Sequence, residues 1–118
     1  MTDKLQILDV AVLDVLKVDV GAESLPVLVN SLISEIRSGE ARLVEYLNID
    51  DAALLENQAH ALKSATLSFG AVKLGDICLR LEDCAKGILN KREAEGLMDE
   101  FKKAASQTIT AFEGFLEN

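Results

Sequence analysis

The chain has 118 residues, 49% of them hydrophobic types, enough for one buried core and too many for a disordered chain. Twenty Asp and Glu oppose twelve Lys and Arg, so the formal net charge is −8. That sign repels phosphate backbones and anionic lipid at long range, which disfavours nucleic acid and membrane surfaces as partners.

Helical spacing dominates from the start. A first short helix is predicted from about Asp9 to Lys17, capped by Asp9, with Val12, Leu13 and Leu16 as its apolar face. Gly21 marks a turn. Ser24 is placed to cap the second helix, and Pro26 is tolerated in its first turn because its missing N–H would have been unpaired anyway. Leu25, Leu28, Leu32 and Ile36 form a core stripe, which Leu43, Tyr46 and Leu47 resume. Gly39 weakens the middle by about 1 kcal/mol relative to Ala. One long helix to about Leu47 is preferred, with a break near Ser38-Gly39 as the alternative.

Asn48 to Asp51 reads as a connection, with Asp50 as N-cap of a third helix that runs to about Leu67. Leu55, Ala59, Leu62 and Thr66 make its inner line, and Phe69 continues it to a corner at Gly70, which lacks Cβ. The fourth helix turns Leu74, Cys78, Leu81, Ala85 and Ile88 inward. Asn90 caps the fifth, with Glu93 at the capping-box position, and its apolar line is Leu97, Phe101, Ala104, Thr108, Phe112 and Phe115. Four long amphipathic helices with short connections predict an all-α fold: an antiparallel four-helix bundle with a short additional N-terminal helix, as a single domain over 1–118. No long heptad seam favours a shared homodimeric bundle, so a monomer is expected.

Cys78 and Cys84 lie on one predicted helix, separated by a rise of about 9 Å, too far for a disulfide. A reduced, cytoplasmic setting is expected. The apolar run from Leu5 to Val20 is broken by Asp9, Asp14, Lys17 and Asp19, so neither a leader nor a membrane span is expected.

His60 is the sole histidine. At about 100° per residue, Leu55, Leu62, Thr66 and Phe69 fall between about 180° and 240° from it. Glu56, Lys63, Ser64 and Leu67 fall within about 60° of it. The ring is therefore expected in solvent, opposite the core. A metal site is unsupported, because one His has no partner at ligand spacing and the cysteines sit on another helix. Serine-type catalysis has no second His as base and no nucleophile elbow. A neutral exposed imidazole is nevertheless a nucleophile by itself. Lys63, one turn on, can offset charge on an incoming phosphoryl group, and Ser64 keeps the other shoulder small.

The stretch His60-Ala61-Leu62-Lys63-Ser64-Ala65 followed by Phe69-Gly70-Ala71 resembles the signature of histidine-containing phosphotransfer domains. Leu74, Cys78, Leu81 and Glu82 continue that pattern. Through Leu25-Pro26-Val27-Leu28 and His60 to Ser64, the chain is similar to the small free-standing phosphotransferases of bacterial quorum-sensing relays.

The resemblance implies that His60 carries a phosphoryl group on Nε2 and that Lys63 helps neutralise it. Many relatives have glycine beside this lysine. Ser64 is also small, and its hydroxyl is a candidate donor to a phosphoryl oxygen. Gly70 matches the structural glycine of the turn, and Phe69, Leu74 and Cys78 match packing positions. The implied partners are the receiver domain of a hybrid sensor histidine kinase, which donates from an aspartyl phosphate, and a response-regulator receiver, which accepts. The receivers bring the acidic Mg²⁺ pocket. No cofactor and no autonomous kinase activity are implied for this chain.

A docking face is expected around His60, with an apolar centre and polar margins. Leu67 is its best single candidate, and Ala53, one heptad before His60, keeps the approach open. Lys73 and Arg80 share a face of the fourth helix and, with Lys63, are expected to form a local positive margin. The competing reading is a non-catalytic helical adaptor or inhibitor that holds a receiver or kinase without accepting phosphate.

Overall fold

In the computed structural model, which describes residues 5–117, five helices follow one another: α1 (Val10–Val20), α2 (Leu25–Asn48), α3 (Ala52–Ser68), α4 (Val72–Ala85) and α5 (Lys91–Leu116). The ends of the expected domain, 1–118, lie outside the described residues. No strand occurs among the described residues. Successive long helices are joined by three to five residues, so neighbours run antiparallel. α2 packs on α3, α3 on α4, α4 on α5, and α5 returns to α2, closing the four-helix bundle. Its length, 44 Å, is close to that of α5, about 39 Å at 1.5 Å per residue. No described helix is long and apolar enough to cross a membrane.

Local hydrogen bonds account for the starts of four of the five helices. Asp9 Oδ1 accepts from the Ala11 amide, Asp51 Oδ1 from Leu54, and Asn90 Oδ1 from Glu93, so three helices start at side-chain caps. The cap of α3 is therefore Asp51, one residue after the expected Asp50. Asp50 has φ 56° and makes the preceding turn, where its carboxylate pairs with Lys91 Nζ at 2.9 Å. Ser24 does not cap α2 with its hydroxyl. Its backbone is already helical because the turn from Gly21 runs directly into the helix. α2 passes through Gly39 without a break.

The core consists of the expected lines with two exceptions. Leu55, Ala59, Leu62 and Thr66 on α3 are buried, as are Leu74, Cys78, Leu81 and Ala85 on α4, and Leu97, Phe101, Ala104, Thr108 and Phe112 on α5. Phe69, Tyr46 and Phe115 pack at its edge. Leu28 lies outside the α2 stripe and is exposed. Val29 and Ile33 are buried instead, because the stripe turns one residue further round at the start of the helix. Ile88 is also wholly exposed: α4 ends at Ala85, and Lys86 turns extended, so Ile88 never shares the helical face of Leu81. Burial pushes the Cys78 thiol up to about 12, which keeps it a neutral packing group.

The corner between α3 and α4 holds α1 in place. Gly70 has φ 77°, and its carbonyl accepts from the Asp9 amide at 2.7 Å. A Cβ there would stand 2.6 Å from the Asp9 carbonyl oxygen, so glycine serves both the left-handed corner and the close approach of α1. Leu13 is the α1 side chain that enters the core completely.

Candidate functional site

α3 buries Leu62 and Thr66 and thereby turns His60 outward, with its side chain 59% exposed. The ring leans against the adjacent helix. His60 Nδ1 is 2.8 Å from Oε2 of Glu82 on α4. Lys63 Nζ donates to the other oxygen, Oε1, at 2.7 Å. Glu82 itself is nearly buried, with its side chain 8% exposed. The hydrogen bond from Lys63 is the main cause that holds the Glu82 carboxyl below the usual glutamate range; burial opposes it, and the bond from His60 adds to it.

This arrangement selects a ring tautomer. An ionised carboxylate only accepts hydrogen bonds, so the proton of the neutral ring sits on Nδ1 and the Nε2 lone pair faces away from Glu82. The nucleophilic atom is thus oriented by a buried group on a second helix. Lys63 occupies a different place from the one its spacing suggested. Its ammonium, on a side chain 22% exposed, is bonded to Glu82 rather than free beside the ring.

The sequence pattern includes Glu82 but implies no part for it in the chemistry. A signal for it did exist. It stands four residues after Cys78 and directly after Leu81, in register with the buried line of α4, and a carboxylate there needs a cation or donor opposite it. Lys86 stands four residues beyond Glu82. Its Nζ lies 4.0 Å from Glu82 Oε2 and 3.6 Å from Asp83 Oδ1.

The other expected residues divide into two sets. Ala53, Ser64 and Leu67 are exposed on α3, on the side of His60. Leu67 is 46% exposed and lies over Gly75 of α4. Lys73 and Arg80 are not brought to this cluster: they lie about 180° and 160° around α4 from Glu82, which faces His60. Arg80 pairs instead with Glu100 of α5 at 3.5 Å. Leu79, 40% exposed, shares the Glu82 face with Gly75 and adds an apolar residue that the sequence reading passed over. No group of His, Cys, Asp and Glu among the described residues has the arrangement of a metal site.

Comparison with known proteins bears on the family and the fold. The Hpt domain family model matches residues 24–111, which include all four bundle helices up to most of α5. The phosphorelay protein LuxU of Vibrio cholerae serotype O1 is 35% identical over 74 residues, covering 63% of this chain and 66% of that protein. The phosphorelay protein LuxU of Vibrio harveyi is 29% identical over 82 residues, covering 70% of each. The chain thus spans about two thirds of the length of these curated relatives. The crystal structure of histidine-containing phosphotransfer protein B from Pseudomonas aeruginosa PAO1 superposes with a TM-score of 0.86 over 97% of both chains at 24% identity, which shows a shared fold. With the family model matched over well more than half its length, the chain belongs to the Hpt, or histidine-containing phosphotransfer, domain family.

Proposed function

We propose that His60 accepts a phosphoryl group from an aspartyl phosphate on the receiver domain of a hybrid sensor kinase and passes it to the aspartate of a response-regulator receiver. Family membership supports a phosphorelay function in general, and the donor, the acceptor and the roles of individual residues are our reading. The observation that carries it is the bond from His60 Nδ1 to Glu82, which directs a lone pair at Nε2 into solvent.

In the forward step, the Nε2 lone pair attacks phosphorus in line while the bond from phosphorus to the aspartate oxygen breaks. The Nδ1 proton stays in place. The ring therefore gains positive charge as the N–P bond forms, and the Glu82 carboxylate stabilises that charge at 2.8 Å. In the second step the same protonated Nδ1 makes the imidazole a good leaving group. Both directions share one geometry, so transfer is reversible in principle. Positioning and charge compensation account for most of the catalysis, and a receiver completes the site from its own side.

Docking is assigned to the exposed face around the ring. Leu67 and Leu79 supply apolar contact from two helices, Ala53 leaves room, and Ser64 is a donor candidate for a phosphoryl oxygen. The resemblance through Leu25-Pro26-Val27-Leu28 and His60 to Ser64 supports a relay of the quorum-sensing type.

The test is incubation with a phosphorylated receiver, followed by acid and base treatment of any label. Acid-labile, base-stable label on the wild type and none on His60→Gln is expected. Acid-labile label retained on His60→Gln overturns the assignment. Receiver binding without any label supports the adaptor reading instead.

A further inference from the structure

We propose that Lys86 is the cation that closes on the phosphoryl group once His60 is phosphorylated. This rests on the reading of His60 as the phosphoryl acceptor and adds a residue to it. α3 and α4 are antiparallel about the Gly70 corner, so two lysines bracket Glu82 along the helix axis. Lys63 approaches from the side of the corner, and Lys86, one turn beyond Glu82, from the side away from it. The two differ in how firmly they are held. Lys63 makes a short charge-assisted bond to a nearly buried carboxylate. Moving it would leave Oε1 without that donor, at the cost of an under-satisfied buried charge.

Lys86 has no such tie. Its contacts of 4.0 Å to Glu82 Oε2 and 3.6 Å to Asp83 Oδ1 are longer than hydrogen bonds, and its side chain is 53% exposed. Exposed pairs of this kind contribute little, so releasing them costs little. Its position is nevertheless specific. Oε2 of Glu82 is the same oxygen that accepts from His60 Nδ1, so the ammonium lies no farther from Nδ1 than those two contacts placed end to end, and the phosphorylated Nε2 is one ring width beyond. Lys86 is also the C-cap of α4, with ψ 135°, so its backbone has left the helix.

Phosphorylation brings close to two negative charges at neutral pH onto a surface that already carries Glu82 and Asp83. Lys63 is committed to Glu82, and Lys86 can exchange two weak carboxylate contacts for a phosphoryl dianion. Bond formation to phosphorus is complete by then; the Lys86 step is a change of ion partner, with no proton transferred.

The test loads the full-length protein with potassium phosphoramidate, a small phosphoryl donor that needs no receiver, and follows the phosphohistidine by ³¹P NMR against pH. A cation against the phosphoryl oxygens lowers the midpoint of their last ionisation. Lys86→Gln should raise that midpoint by about half a unit or more, Lys86→Arg should restore it, and Lys63→Gln should move it less. A Lys86→Gln titration superimposable on wild type, or a shift produced by Lys63→Gln alone, overturns the proposal. Wild-type protein that takes up no label, or His60→Gln that takes up as much, overturns the reading of His60 itself. Loading uses no partner, so the two failures are told apart.

Discussion

Gly39 of α2 lies against Leu62 of α3 so closely that a Cβ on it would stand 2.7 Å from Leu62 Cδ1. Leu62 is wholly buried, two residues along the helix from the exposed His60. The same contact that seats the inner face of α3 therefore sets how far out the histidine stands. Gly75 of α4 makes the corresponding approach on the outer side, beneath Leu67. The consequences of filling the two sites differ. Leu62 has nowhere to go in a close-packed core, and overpacking there costs about 1–3 kcal/mol, more than the helix-propensity gain of about 1 kcal/mol. Leu67 is half exposed and can swing outward. Gly39→Ala is expected to destabilise the bundle, and Gly75→Ala to change it by less. Urea denaturation of both variants checks the order, and equal or reversed losses would contradict the packing argument.

Glu82 links stability to pH. Its carboxyl is held below the usual glutamate range chiefly by Lys63, so its contribution is fully present above the ordinary glutamate value of about 4.3. The contribution is lost as pH falls through the lowered folded value. Glu82→Gln should therefore be less stable than wild type at neutral pH, with the difference shrinking as acid protonates the wild-type carboxyl. A difference that grows toward low pH would reverse the sign of this linkage. Chemical denaturation at pH 7 and at pH 3.5 supplies the comparison.

The same carboxylate fixes the ring. In wild-type protein, ¹⁵N NMR at a pH where the ring is neutral should show the proton of His60 on Nδ1. In Glu82→Ala that preference should be lost, and phosphoryl transfer from a receiver should slow even where the fold survives. A Glu82→Ala ring still protonated on Nδ1 would show that the bond does not set the tautomer.

The adjacent aspartates at the α2–α3 turn have separable roles. Asp51→Ala removes the side-chain bond to the Leu54 amide and is expected to cost about 1 kcal/mol. Asp50→Asn keeps a residue that tolerates positive φ and loses only an exposed pair with Lys91, for a smaller change than at Asp51. Thermal melts distinguish them, and a larger effect at Asp50 would place the structural cap at the wrong residue.

Leu67→Ala should weaken receiver binding about five- to tenfold, the equivalent of about 1 kcal/mol of lost apolar contact. With Leu67 half exposed, the melting temperature should change little. Unchanged affinity in calorimetry with a steep fall in melting temperature would assign Leu67 to the core instead.

The helices are legible in the amino-acid order, because a 3.6-residue period written in Leu, Ala and Phe states which face must leave water. The same order determined that His60 looks outward, since the buried line of α3 passes on the opposite side. Local chemistry was less decisive at boundaries. Asp50 and Asp51 are equally good caps on paper, and only the positive φ at Asp50 separates them. Ile88 continued the spacing of α4, yet Lys86 had already left the helix.

The company His60 keeps comes from packing between helices. Periodicity describes one helix at a time, and the partners of this ring come from α4. The rotation of α4 against α3 brings Glu82 beneath the imidazole and leaves Lys73 and Arg80 on its far side. A charge acts across the few ångströms of space around it, and distance along the chain does not measure that space.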